Sequence, residues 1–165
     1  MRNHFFAGIV LVLLVAGCSS PRATSSAAQV TSCANAGAPH HAYVVVQHLS
    51  GASLQRCVGF NGATIDGQTL MDQAGVQYQA HTLSAGKAVC QVDNEPVQFS
   101  QCFPPQQPYW ALFVETGGRW VSGDAGGFTM ATLRDGDALG WHYVPAADAA
   151  PAPPPLAQAF PGAAA

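Results

Sequence analysis

The sequence predicts an α+β domain, an antiparallel-rich sheet carrying one short helix after its first hairpin. Three observations predict it. Residues 43–49 (Tyr-Val-Val-Val-Gln-His-Leu) and 54–60 (Leu-Gln-Arg-Cys-Val-Gly-Phe) are strand-like runs separated by Ser50-Gly51-Ala52-Ser53, which reads as a hairpin. A single helix signal follows, bounded by Asp66 and Gly75. Further strand-like segments at 88–92, 109–116, 119–122 and 138–144 then succeed one another with no long helix among them.

Within the hairpin, the second strand sets Leu54, Val58 and Phe60 on one face with the Arg56 stem. Gln55, Cys57 and Gly59 take the other. The first strand is apolar on both faces near its centre, which places it inside the sheet. In the helix, Asp66 is positioned to accept from the N–H of Thr69, and Ile65 packs on Leu70 as a hydrophobic staple. Leu70, Met71 and Ala74 form its buried stripe, and Gly75 stops it. Gly117-Gly118 supplies the tight turn between the strands at 109–116 and 119–122.

The flanks of this domain read differently. Residues 5–17 are uncharged and mostly apolar, follow Arg2 and end in Val15-Ala16-Gly17-Cys18. A charged start, a short apolar segment and small residues at the cut describe a secretory signal, and this ending resembles the bacterial lipobox. The expectation is a signal peptide over 1–17 and acylation of Cys18 with palmitate-type chains. That makes the protein an extracytoplasmic lipoprotein, anchored in a cell membrane by lipid. Residues 18–40, rich in Ser, Ala and Thr at their start, are expected to be a flexible tether. Residues 146–165 hold five prolines and no basic residue, and are expected to be a disordered tail. About a hundred residues remain, enough for one core.

Charge excludes some partners. Loss of Arg2 with the signal takes the formal net charge from -3 to -4, and Arg22, Arg56, Lys87, Arg119 and Arg134 are scattered along the chain. No basic stripe is available for phosphates, so no nucleic-acid partner is expected. The lipid itself must hold the membrane, without help from a polybasic patch.

With Cys18 acylated, Cys33, Cys57, Cys90 and Cys102 remain in a compartment that permits disulfides. Three connectivities exist for four cysteines. The favoured one joins Cys90 to Cys102 across a short loop and Cys33 to Cys57, pinning the tether to the sheet. The rival is a metal site shared with the histidines. No Cys-x-x-Cys and no helical His pair occurs, so the expectation is no metal.

Phe103-Pro104-Pro105-Gln106-Gln107-Pro108-Tyr109-Trp110 combines stiff prolines with aromatic and amide side chains, a surface that is cheap to order. With the last strand around Trp141 it forms the candidate ligand site: Phe103, Tyr109, Trp110 and Trp141. The competing reading is that the prolines only route a loop. Of Trp110, Phe113, Trp120, Trp141 and Tyr143, strand alternation turns about two outward and leaves open which. Asp135-Gly136-Asp137 reads as a turn and not a calcium loop. No nucleophile elbow, zinc-protease helix or phosphate loop is present, and Glu115 with Asp124 is a weak acid pair, so the chain is not expected to be an enzyme.

Taken in order, residues 64–75 (Thr-Ile-Asp-Gly-Gln-Thr-Leu-Met-Asp-Gln-Ala-Gly), 108–113 (Pro-Tyr-Trp-Ala-Leu-Phe), Arg119-Trp120 and 133–143 (Leu-Arg-Asp-Gly-Asp-Ala-Leu-Gly-Trp-His-Tyr) resemble the transcobalamin C-terminal-like domain. The resemblance spans residues 43–144, within an assigned domain of 41–145, and implies a β-grasp-like fold. Its best understood members close over one face of cobalamin, so the resemblance implies binding of a corrinoid or another small ligand, with no cofactor of its own. Those carriers complete the clamp with a large helical domain for which this chain has no room. A transporter or other envelope partner, or a second copy, would supply the other half. The alternative function is an envelope protein-interaction or structural lipoprotein with no small ligand.

Overall fold

The computed structural model describes residues 30, 32–84, 86–123, 126–146 and 148–162. The expected signal segment 1–17 and Cys18 lie outside the described residues, as does Asp124.

Among the described residues, ten strands and one α-helix follow one another: β1 Cys33–Ala34, β2 His40–Gln47, β3 Ser53–Phe60, β4 Ile65–Asp66, α1 Gly67–Ala74, β5 Tyr78–Leu83, β6 Gly86–Val92, β7 Tyr109–Thr116, β8 Arg119–Ser122, β9 Thr132–Leu133 and β10 Ala138–Val144. The main sheet has the order β1-β3-β2-β10-β7-β8. β2 and β3 form the expected hairpin, with Val44 opposite Arg56 and Val46 opposite Leu54. β10 lies parallel to β2 on its other side and antiparallel to β7. The first long strand is therefore central, as its two apolar faces require. The class is α+β with mostly antiparallel pairing.

The helix forms where the residues predict. Asp66 Oδ1 accepts from the Thr69 N–H at 2.9 Å and Oδ2 from the Thr69 hydroxyl at 2.7 Å, bonds that hold the Asp66 carboxyl below the usual range. Gly75 closes the helix with φ 67° and ψ 17°, a left-handed conformation that suits glycine. Tyr78 Oη donates to Asp72 at 2.7 Å. Burial first, and then the Asp72 carboxylate, pushes its phenol up to about 12.

One face of the main sheet carries the larger core. Ala42, Val44, Val46, Val58, Phe60, Trp110, Leu139, Trp141 and Tyr143 meet Leu70, Met71, Phe128, Leu133, Val89 and Val92 from α1, the 3₁₀ turn Phe128–Met130, β9 and β6. The opposite face is also covered, and here the expectation of a disordered tail is corrected. Residues 148–162 form a strap across it. Ala157 N–H donates to Glu115 at 3.0 Å, Gln158 N–H to the Gln55 amide oxygen at 2.9 Å, and Phe160 N–H to the Tyr43 hydroxyl at 3.0 Å. Gln55 Nε2 donates in return to the Gln158 carbonyl at 2.7 Å, and His142 Nδ1 to the Ala152 carbonyl at 2.7 Å.

The physical reason is twofold. Tyr43, Val45, Cys57 and Ala138 leave an apolar surface on this face that needs burial, and Phe160 and Ala157 supply it. Proline also narrows the unfolded ensemble of the strap, so less entropy is lost on docking. Gly140 allows the close approach. A Cβ there would lie 2.7 Å from the Trp120 ring and 2.9 Å from Pro154.

The tether boundary at residue 40 is corrected as well. Val30 packs into the strap-side cluster, β1 pairs parallel with β3, placing Cys33 opposite Cys57, and β2 begins at His40. The folded unit therefore takes in residues that composition alone assigns to the tether.

Candidate functional site

Both expected disulfides are present, Cys33–Cys57 and Cys90–Cys102. The second fastens the loop 93–108 onto the outer side of the β5–β6 hairpin.

That hairpin holds a bulge. Gln79 pairs with Gln91 but Ala80 pairs with Val89, so Cys90 has no partner across the ladder. Val89 and Val92 both enter the main core. The extra residue therefore turns Cys90 and Gln91 outward together, a re-aiming that bulges commonly perform. Gln91 Nε2 donates to the Pro96 carbonyl at 2.6 Å, its Oε1 accepts from Gln79 at 2.7 Å, and the loop is tied down at its root. Outward-facing His81 sits opposite Ala88, one diagonal step from Cys90.

The loop and hairpin enclose an open groove of about 330 Å³, lined by His81, Leu83, Ala88, Ser100, Gln101, Cys102 and Phe103. Leu83 and Phe103 are 52% and 55% exposed at its rim. A smaller cavity of about 40 Å³ lies on the other side of the disulfide, between Cys90, Gln98, Ser100, Gln107 and Tyr143. Leu83, Phe103 and Ala88, one amide, one hydroxyl and an imidazole thus face one concave surface, the mixture typical of small-ligand sites, at the lower end of their size range of roughly 300–1,000 Å³.

The sequence-predicted ligand residues separate. Phe103 is in the groove. Trp110 and Trp141 are not, being 4% and 3% exposed in the main core. Trp110 packs against Tyr143 with ring centroids 4.8 Å apart and donates its indole N–H to the Glu95 carbonyl at 2.8 Å. Trp141 meets Phe128 edge-on at 5.8 Å. Tyr109 faces the opposite side of the sheet and donates its hydroxyl to the Asp148 carbonyl at 2.8 Å. The correction follows from strand parity: the core takes Trp110, Trp141 and Tyr143, and the strap side takes Phe113 and Trp120.

Other charged groups make structural contacts. Asp135 accepts from His41 N–H at 2.7 Å, Asp137 from Arg134 N–H at 2.8 Å, and Gly136 has φ 83°, the geometry of a turn. His48 lies between two carboxylates, with Nδ1 2.7 Å from Glu95 and Nε2 3.1 Å from Asp93. These acids lie on opposite edges of the ring, a bridge and not a chelate. Burial raises the Glu115 carboxyl above the usual range, and the Asp137 charge adds to it, against the Ala157 N–H that lowers it.

Among the described residues, those that could hold a metal are His81, Cys90 and Cys102, whose ligand atoms lie within 4.8 Å of one another. Sequence reading placed the two cysteines and missed His81. The signal was present as the alternation from Tyr78 to Leu83 ahead of Gly86, which pairs His81 beside Cys90 once that segment is taken as a strand.

No protein-family model matches the chain, and no curated protein matches it. Among solved structures it is similar to the crystal structure of "a putative metal binding protein from Ruminococcus gnavus ATCC 29149", with 19% sequence identity and a TM-score of 0.45. That match covers 64% of this chain and 97% of the other. No helix among the described residues is long and apolar enough to cross a membrane.

Proposed function

We propose that this chain is a lipid-anchored extracytoplasmic binding module of the transcobalamin C-terminal-like, β-grasp type, which covers part of a small planar ligand. The observation that carries the reading is the groove beside Cys102, where Phe103 and Leu83 stand exposed over amide and imidazole groups on a disulfide-braced frame. Preorganisation of this kind lowers the cost of binding. Its size and openness suit partial cover of a corrinoid, with a transporter, another envelope protein or a second copy completing the enclosure. The β-grasp assignment is supported by a hairpin whose first strand runs parallel to the last, with α1 packed on the same sheet. Two disulfides support an oxidising compartment.

Titration calorimetry of the oxidised protein with cobalamin and with cobinamide tests the ligand. The expected result is saturable heat that weakens at least about tenfold in Phe103→Ala, with an unchanged melting temperature. Absence of heat from both corrinoids, or equal affinity in Phe103→Ala, refutes the groove. Labelled palmitate tests the anchor: it enters the wild type and not Cys18→Ala, which leaves the membrane fraction. Equal membrane retention of the variant refutes anchoring through Cys18.

A further inference from the structure

We propose that His81, Cys90 and Cys102 form a thiol-gated zinc site: closed while the cysteines are joined, and open to one zinc ion when a dithiol reductant separates them. The proposal does not require the groove to bind a corrinoid.

The bulge is the first ground. It leaves Cys90 unpaired in the ladder and aims it toward the side that carries His81. Cys102 reaches the same place from the loop, and both sulfurs lie over the Ala88 carbonyl, at 3.9 Å for Cys90 and 3.8 Å for Cys102. Ala88 is the residue directly opposite His81. One nitrogen and two sulfurs thus converge from two strands and a loop, within 4.8 Å of one another. A tetrahedral zinc with Zn–S of about 2.3 Å and Zn–N of about 2.0–2.1 Å separates its ligand atoms by roughly 3.5–3.8 Å. The imidazole nitrogen has about 1 Å to close, the two sulfurs have to part from their bond, and His81 stands at an exposed position.

The second ground is ligand chemistry. Two thiolates and an imidazole prefer zinc over magnesium or calcium, and three protein ligands leave the fourth position for water. Cys102 and His81 both line the groove, so a zinc ion held by them would lie at its wall.

The gate is the redox state. In the disulfide the two sulfurs are bonded to each other and offer no thiolate. A dithiol donates two electrons and two protons, the S–S bond breaks to give two thiols, and the dithiol leaves as its own disulfide. Zinc then displaces the two thiol protons on binding. Exchange with an excess of a small disulfide reverses the step: the small disulfide takes the two electrons and two protons and leaves as two thiols, the Cys90–Cys102 bond re-forms, and the zinc leaves as the aqueous ion.

The test uses the full chain, either oxidised or reduced with dithiothreitol and freed of it under anaerobic conditions. Zinc is titrated against a chromophoric chelator, and the thiols it protects from alkylation are mapped by mass spectrometry. The expected result is one zinc per reduced chain, none on the oxidised chain, and protection of Cys90 and Cys102. His81→Ala, at an exposed position, should lose at least about tenfold in affinity. Reduction also opens Cys33–Cys57, so the alkylation map assigns the metal even where a Cys33→Ala/Cys57→Ala control does not fold. The proposal is overturned if the reduced protein takes no zinc, if protection falls on Cys33 and Cys57, or if His81→Ala binds as tightly as the wild type. Corrinoid titration is done on the oxidised protein, so failure of one experiment leaves the other intact.

Discussion

Gln55→Ala should release the C-terminal strap. The Gln55 side chain makes two hydrogen bonds to one strap residue, donating to the Gln158 carbonyl at 2.7 Å and accepting from its N–H at 2.9 Å. At about 1 kcal/mol net for each bond, the substitution costs the docked strap about 2 kcal/mol. Every 1.4 kcal/mol is a factor of ten, so the opening equilibrium of the strap shifts by about 30-fold. Native-state hydrogen exchange reads this at the amides of Ala157, Gln158 and Phe160, all of which donate to sheet side chains. Protection there should fall by about that factor, while the amides of β2 and β10 change much less. Gly140→Ala gives an independent route to the same state, since its new methyl group collides with Pro154 in the middle of the strap and with Trp120 of β8. Unprotected strap amides in the wild type, or identical exchange in Gln55→Ala, would refute the docked strap.

Glu115→Gln should stabilise the protein at pH 7. The buried carboxyl is raised in the folded state, so its ionisation opposes folding above the folded value, and wild-type stability from this group rises as pH falls through that value toward the ordinary carboxylate range. The variant lacks the penalty and keeps an acceptor for Ala157. Denaturant midpoints against pH should show a gap at pH 7 that closes toward pH 4, and a gap independent of pH contradicts the assignment. Trp110→Phe and Trp141→Phe should each cost about 1–3 kcal/mol in denaturant melts, through lost packing and, for Trp110, the lost bond to Glu95. Corrinoid affinity should stay as it is in both, and weakened binding by a folded variant would return these residues to the site. Cys90→Ala/Cys102→Ala removes a cross-link of sequence separation 12. The chain-entropy estimate is a loss of about 3 kcal/mol, and an unchanged melting temperature would mean that the loop is held by its hydrogen bonds alone.

Much of the frame is legible because its signals are local. The hairpin turn, the Asp66 cap, the Gly75 stop and the alternation of β7 and β10 each lie within a few residues. The strap is not local. Its amides at Ala157, Gln158 and Phe160 are satisfied by Glu115, Gln55 and Tyr43, which lie 42, 103 and 117 residues away in sequence. Composition reports only that such a segment cannot form its own core. Yet a clue existed in β2: a strand apolar on both faces demands two covers, and α1 with its neighbours accounts for one. Strand β5 escapes notice because Gln79, His81 and Thr82 dilute its apolar content, and β1, β4 and β9 are too short to carry any pattern. The aromatic site failed for a related reason. With both faces of the sheet buried, alternation tells which residues share a face but not which face is free.

The two-sided cover also orients the molecule. Val30 and Phe160, near the two ends of the described chain, meet in one cluster with Tyr43, Val45 and Cys57 on the strap face. The β5–β6 hairpin belongs to the other layer, packed through Val89 and Val92 against the main core, and its groove opens on the side away from that core. The six-stranded sheet therefore stands between the cluster of Val30 and Phe160 and the surface that carries Phe103, His81 and Cys102. Under the lipid-anchor reading, the strap face is turned toward the bilayer and the groove away from it. Cys33–Cys57 fixes β1 to the sheet by a covalent bond, while Cys90–Cys102 ties the loop that walls the groove to β6. One disulfide thus braces the strap side and the other braces the groove, and of the two only the second is grouped with a further metal-ligating side chain among the described residues.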